Sequence, residues 1–272
     1  MAGSGKKWLV GCGVGCGAVV LLGILLSVGG SLYMMRPFNQ AIDVQKELVA
    51  EYGPREAYIP GPQGITSDRL EAFLAVRRAV MPMCEEFRKI ADSFAAMDEL
   101  DKGGQEPSKG EMFKAVGNLT GDIFGMVGNM GRFTQLRNQA LLDQGMGLGE
   151  YIWIYVLVYN SWKGHRPNQD IDGQSERGFS TSERKVILRL VRNHAEALAE
   201  AGLTDQALLW EKEAGLMERT ETGVPFKDGG LPQEMIRGFL PYEKKLDNLY
   251  CEATSSFELN RIQKKGLSIR SE

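Results

Sequence analysis

The sequence predicts an all-α protein: a single amino-terminal transmembrane helix followed by one irregular multi-helix domain that contains a kinked long helix. Three observations carry this. An uncharged run extends from Trp8 to Met35 between Lys6-Lys7 and Arg36. After it, apolar residues recur at three- and four-residue spacing through most of the chain, with capping residues and glycines punctuating the pattern. The segment 151–162 is rich in β-favouring residues, and its length and helical surroundings make a buried helix the better reading than a strand.

The opening run is about 28 residues long, more than the ~20 that cross a hydrocarbon core as a helix. A secretory signal has a far shorter apolar region, so the small-residue site at Ser27-Val28-Gly29 comes too late for cleavage. Leu9-Val10-Gly11-Cys12 resembles the lipobox of bacterial lipoproteins, but the long apolar region lies after the cysteine rather than before it. A permanent anchor fits best. On a helix Cys12, Gly13, Cys16, Gly17, Gly23, Ser27 and Ser31 fall within about 140° of one another. Such a stripe lets two membrane helices approach closely, so Gly13, Gly17, Gly23, Ser27 and Ser31 are candidate contacts for a homodimer. Lys6, Lys7 and the amino group place residues 1–7 in the cytoplasm and everything after the anchor outside it, at the inner membrane if the host is bacterial.

Residues 36–65 read as a stalk helix and a Pro/Gly linker. "NQAIDVQKELVAEYG" puts Ala41, Ile42, Gln45, Leu48, Val49 and Tyr52 on one face, and Gly53-Pro54 ends it. The domain proper is expected over 66–263, ahead of a basic tail at 264–272. Thr66 is placed to cap the first helix, and Ile65 and Leu70 have the spacing of a hydrophobic staple. Pro82 falls within the long apolar stripe that follows and should bend it.

Further on, Gly117, Gly121, Gly125, Gly128 and Gly131 share one side of a helix of low intrinsic stability. Ser180 and Glu183 have capping-box spacing ahead of a helix that Gly202 closes, and Thr204 opens the next. The stretch from Pro232 to Gln263 reads as a last amphipathic helix.

Chemistry is sparse. The net charge is −3, more acidic once Lys6 and Lys7 are set aside, and no basic block interleaved with aromatics points to nucleic acid. Asn168, Asp170, Asp172 and Gly173 resemble the start of an EF-hand calcium loop, to which Glu176 could add a ligand. Phe179 stands where that loop needs its bidentate glutamate. No cofactor motif is present. The two cysteines of the domain, Cys84 and Cys251, each fall in an expected amphipathic helix. Outside the cytoplasm they would pair or pack as two buried thiols. His165 and His194 are the only histidines; His194 falls on the apolar side of its helix and reads as a packed core residue.

The expected function is therefore non-enzymatic: a membrane-anchored scaffold or adaptor whose partners are the lipid bilayer, a second copy through the anchor, and an unidentified protein. Two alternatives stay open. One is a tethered lipid or small-molecule binder that uses the glycine face of 117–131 against the aromatic segment 151–162. The other is an enzyme whose acids converge only in three dimensions.

Overall fold

The computed structural model describes residues 37–90, 92, 128–166, 179–220, 223–227 and 230–259, and all regular structure among them is helical. The anchor with its small-residue stripe, the calcium-like loop at Asn168, Asp170, Asp172 and Glu176, and the glycine helix up to residue 127 lie outside the described residues. No described helix is long and apolar enough to cross a membrane.

Helix α1 spans 37–52. The expected face is the one that turns inward, with Ala41 and Leu48 fully buried, but it does not form a free stalk. Leu48 belongs to the main core and Tyr52 packs against it. The Pro/Gly linker is likewise part of the domain, because Tyr58 and Ile65 lie on the same core and Pro60 is buried.

Helix α2, Ser67–Val80, buries Leu70, Phe73, Leu74, Val76, Arg77 and Val80. Thr66 occupies the N-cap position with extended backbone, yet its hydroxyl makes no capping bond. The α-helix stops at Val80, turns at Met81 and resumes as α3 over 82–90, so the break falls where Pro82 cannot donate to the preceding turn. Helix α4, 128–143, ends in a Schellman motif: Met146 N–H reaches the Leu141 carbonyl (2.9 Å) and Gly145 N–H the Leu142 carbonyl (3.1 Å). Gly145 takes the left-handed conformation this demands, φ 58°.

Helix α5, Leu148–Tyr155, runs directly into a π-helical stretch, Val156–Trp162. The aromatic segment is thus helical, with its second half widened, and every residue from Leu148 to Ser161 is buried. Fully burying a large apolar side chain contributes roughly 1.5–3 kcal/mol, so this segment is the spine of the main core. Its burial on every side explains its composition: no face needs to meet water.

Helix α6, Thr181–Glu200, starts with the expected capping box, in which Ser180 and Glu183 bond each other's backbone reciprocally. It ends at Gly202, φ 76°, with Leu203 N–H on the Leu198 carbonyl at 2.9 Å. Helix α7, Thr204–Thr220, folds back along α6 and buries Ala207, Trp210, Ala214 and Met217.

The last expected helix is broken. Helices α8, Gln233–Phe239, and α9, Glu243–Asn248, flank a 3-10 turn at Leu240–Tyr242, and a further 3-10 stretch covers Glu252–Phe257. Cys251 therefore lies in extended chain, φ −134°, and not in a helix. The first break falls at Pro241, which has no N–H to continue the helix, and beyond Asn248 the segment's carbonyls are claimed by arginines. Arg77 donates from Nε and Nη2 to the Leu249 carbonyl (3.1 and 2.7 Å), Arg137 to the carbonyls of Phe257 and Glu258 (3.1 and 2.6 Å), and Arg55 to that of Leu259. A continuous helix would consume those acceptors itself.

Cys84 and Cys251 are joined by a disulfide, with Cα atoms 5.9 Å apart and a sequence separation of 167. Beside the bridge a second apolar cluster gathers Val80, Met83, Phe87, Phe133 and Phe257. Phe87 meets Phe133 edge-on at 6.0 Å and Phe257 at 4.9 Å.

Candidate functional site

Two places in the described structure concentrate polar chemistry, and they differ in access. The first is sealed. Arg77 and Glu258, both fully buried, form an ion pair joined by Tyr151, whose hydroxyl donates to Glu258 Oε2 at 2.6 Å, and by Thr254, whose hydroxyl donates to Oε1 at 2.9 Å. The guanidinium also lies 5.4 Å from the Tyr155 ring centroid and 5.7 Å from that of Tyr159. Burial pulls the guanidinium's pKa down, but Glu258 and the surrounding tyrosines outweigh it and hold Arg77 well above its ordinary value. Burial raises the hydroxyls of Tyr151 and Tyr155, and pushes that of Tyr159 up to about 12, so all three remain neutral. This arrangement locks the 249–259 segment to α2 and α5. Its charges are used up by one another.

The second place is open: a cleft of about 210 Å³ lined by the Pro62–Ile65 turn, by His194 of α6, by Leu203, Gln206 and Trp210, and by α8. The dipeptide Asn193-His194 fixes its near wall. Asn193 Nδ2 donates to the carbonyls of Glu56 (3.2 Å) and Tyr58 (2.8 Å), and His194 Nδ1 lies 3.4 Å from the Pro60 carbonyl. A carbonyl only accepts, so the tautomer with hydrogen on Nδ1 satisfies both groups. His194 is 2% exposed and packed between Trp153, at 5.2 Å, and the edge of Trp210, at 4.7 Å. Burial lowers its pKa to about 4. Its Nε2 makes no hydrogen bond among the described residues. A base that weak is a poor proton acceptor at neutral pH, but the neutral ring accepts a hydrogen bond well.

The remaining histidine stacks on Tyr250, with ring centroids 3.8 Å apart and planes 7° from parallel, and burial lowers its pKa too. The buried acids stand apart from one another. Glu150 is paired with Arg69 (2.7 Å), Glu183 closes its capping box, and Glu258 serves Arg77. No group of three or more His, Cys, Asp or Glu side chains among the described residues is placed to hold a metal.

Sequence reasoning placed His194 on the apolar face of its helix and stopped there. The cleft needs the 60–65 turn and α8 to come together from positions far apart in the chain, which periodicity does not encode. Arg77 did carry a signal: it lies seven residues after Leu70 and four after Phe73, in phase with the buried stripe. Comparison with protein-family models, with curated proteins and with solved structures finds no match.

Proposed function

We propose that the chain is a single-pass membrane protein whose residues 8–35 cross the bilayer, and whose helical domain works outside the cytoplasm as a non-enzymatic scaffold or adaptor for a protein partner. The observation that carries this is the Cys84–Cys251 bridge in a chain that opens with a long uncharged run between basic residues. A structural disulfide persists in oxidising compartments, and the run supplies the means of retention there. In support of a binding role, α7 presents Leu208, Leu209 and Leu216 outward at 57%, 42% and 38% exposure, on the side opposite its buried Trp210 and Ala214. The anchor's small-residue stripe allows the protein to act as a homodimer.

The test is protease protection of a carboxyl-terminally tagged protein, in intact cells with the outer face exposed and again after permeabilisation. The tag should be lost in intact cells, and Cys84 and Cys251 should resist maleimide until a reductant is added. Protection of the tag until permeabilisation, with both thiols freely labelled, would overturn the reading.

A further inference from the structure

Helix α7 has two faces. Ala207, Trp210, Ala214 and Met217 turn into the main core. At 100° per residue the opposite face is centred on Lys212 and carries the exposed Leu208, Leu209 and Leu216, with Gly215 beside them. Asp205 in the first turn and Arg219 in the last stand at the two ends of that face, each seven residues from Lys212. Both are exposed, and neither makes a hydrogen bond or ion pair among the described residues. A Cβ built on Gly215 meets only Arg219 Nη1, at 3.6 Å, so the guanidinium extends along this face. Glu218, on the flank, is already engaged by Arg192 of α6 at 2.6 Å.

That face is complementary to itself. Laid antiparallel on a second copy, with the two Lys212 residues at the crossing point, it brings Leu209 beside the copy's Leu216 and Leu208 beside the copy's Gly215. Asp205 then meets the copy's Arg219, and the two-fold axis repeats every contact. A parallel pair would instead set Asp205 against Asp205 and Arg219 against Arg219. The charges therefore select both the occupant and its direction.

We propose that α7 is a dimerisation surface of the helical domain, which takes α7 of a second copy in antiparallel contact through its leucines, held in register by reciprocal Asp205–Arg219 pairs. The inference rests on the membrane-anchored reading above, because one helix pair is small for a stable interface and needs its copies concentrated by a shared surface. Lys212 at the crossing point keeps the contact weak and fixes its register, as a single lysine does in a coiled-coil seam.

The test is disulfide trapping with copper phenanthroline in membranes carrying the full chain, with Cys12 and Cys16 replaced by Ser so that the anchor contributes no thiol. Lys212→Cys should give a crosslinked dimer. Thr220→Cys should not, since its two copies would stand about 24 Å apart along the helix axes. Added to Lys212→Cys, either Asp205→Arg or Arg219→Asp should lower the dimer yield about fivefold or more, because each sets like charges together. Expressed together under different tags, those two variants should crosslink to each other as well as the parent does, since the mixed pair restores both opposite-charge contacts. A role for Asp205 and Arg219 confined to the ends of their own helix would not be rescued by mixing. Undiminished yield in the single variants, failure of the mixture to recover, or crosslinking through Thr220→Cys would overturn the proposal. No dimer through Lys212→Cys would also overturn it, and would leave the leucines to a different protein or to another segment of this chain. Alkaline extraction of the same membranes reads the anchor separately. A released chain that still crosslinks at position 212 would remove the anchor and keep the α7 contact; a retained chain that does not would do the reverse.

Discussion

At the scale of single residues, the described structure turns on a few buried polar side chains whose partners are fully specified. Arg77 satisfies the Leu249 carbonyl, Glu258 and Tyr151 at once. Removing one member of a buried ion pair leaves the other charge desolvated and unpaired, which costs about 3–5 kcal/mol. Arg77→Ala should therefore lower the unfolding free energy by that amount in guanidinium titrations at pH 7. Replacing Arg77 and Glu258 together by Met should lose much less, because no uncompensated charge remains. His194 gives a pH-dependent counterpart. Its folded pKa, about 4, lies below the ordinary value of 6.5, so between those values the unfolded chain binds more protons and stability rises with pH. The contribution is complete above pH 6.5 and is lost as pH falls toward 4, by roughly 3 kcal/mol. Stability measured from pH 7 to pH 4 should fall less steeply in His194→Phe than in the parent. Equal slopes would show that the imidazole is not buried as described.

At the scale of elements, the helices that matched the sequence reading are those whose signals are local. The capping box at Ser180, the stop at Gly202 and the break at Pro82 each depend on a few adjacent residues. The π-helical turn at Val156–Trp162 and the extended chain at Cys251 have no such local marker, whereas Pro241 does mark the break between α8 and α9. Likewise the anchored faces were legible while their neighbours were not. The inward face of α1 was readable from Ala41 and Leu48, but only tertiary contact turns a stalk into a core helix. The candidate cleft was the least legible, because a lone histidine on an apolar face reads the same whether its ring edge meets packed carbon or an opening. Glycines separate the local and tertiary effects experimentally. Gly238 and Gly149 both lie in helices, where alanine is intrinsically favoured by about 1 kcal/mol. At Gly238 an added Cβ meets nothing, so Gly238→Ala should raise the melting temperature. At Gly149 it would lie 2.2 Å from the Arg55 carbonyl oxygen and 2.6 Å from Tyr58 Cβ. Gly149→Ala should therefore destabilise, by about 1–3 kcal/mol, and opposite signs in the two melts are the expected result.

At the scale of the whole molecule, the carboxyl-terminal segment is the closing element. Residues 249–259 contribute Phe257 to the smaller apolar cluster, Leu259 to the main core, carbonyls to Arg55, Arg77 and Arg137, and Cys251 to the bridge. The chain therefore cannot complete either core until its far end returns to α2 and α3. Bringing ends that distant together is entropically expensive, and a crosslink with a sequence separation of 167 removes much of that expense from the unfolded state. The chain-entropy relation puts the effect at about 5 kcal/mol, a ceiling that residual structure in the unfolded chain reduces. Cys84→Ser with Cys251→Ser should thus shift the urea midpoint downward while leaving the helical signal of the folded state intact. Hydrogen exchange should show where the loss begins. The amides of 250–259 should lose protection ahead of those in α5, because the bridge and the arginine contacts hold that segment, whereas α5 is surrounded by the main core. If the midpoint is unchanged by the double substitution or by reduction, the arginines alone hold the segment in place. The bridge would then contribute nothing to stability, and its weight as an argument for an oxidising compartment would go with it.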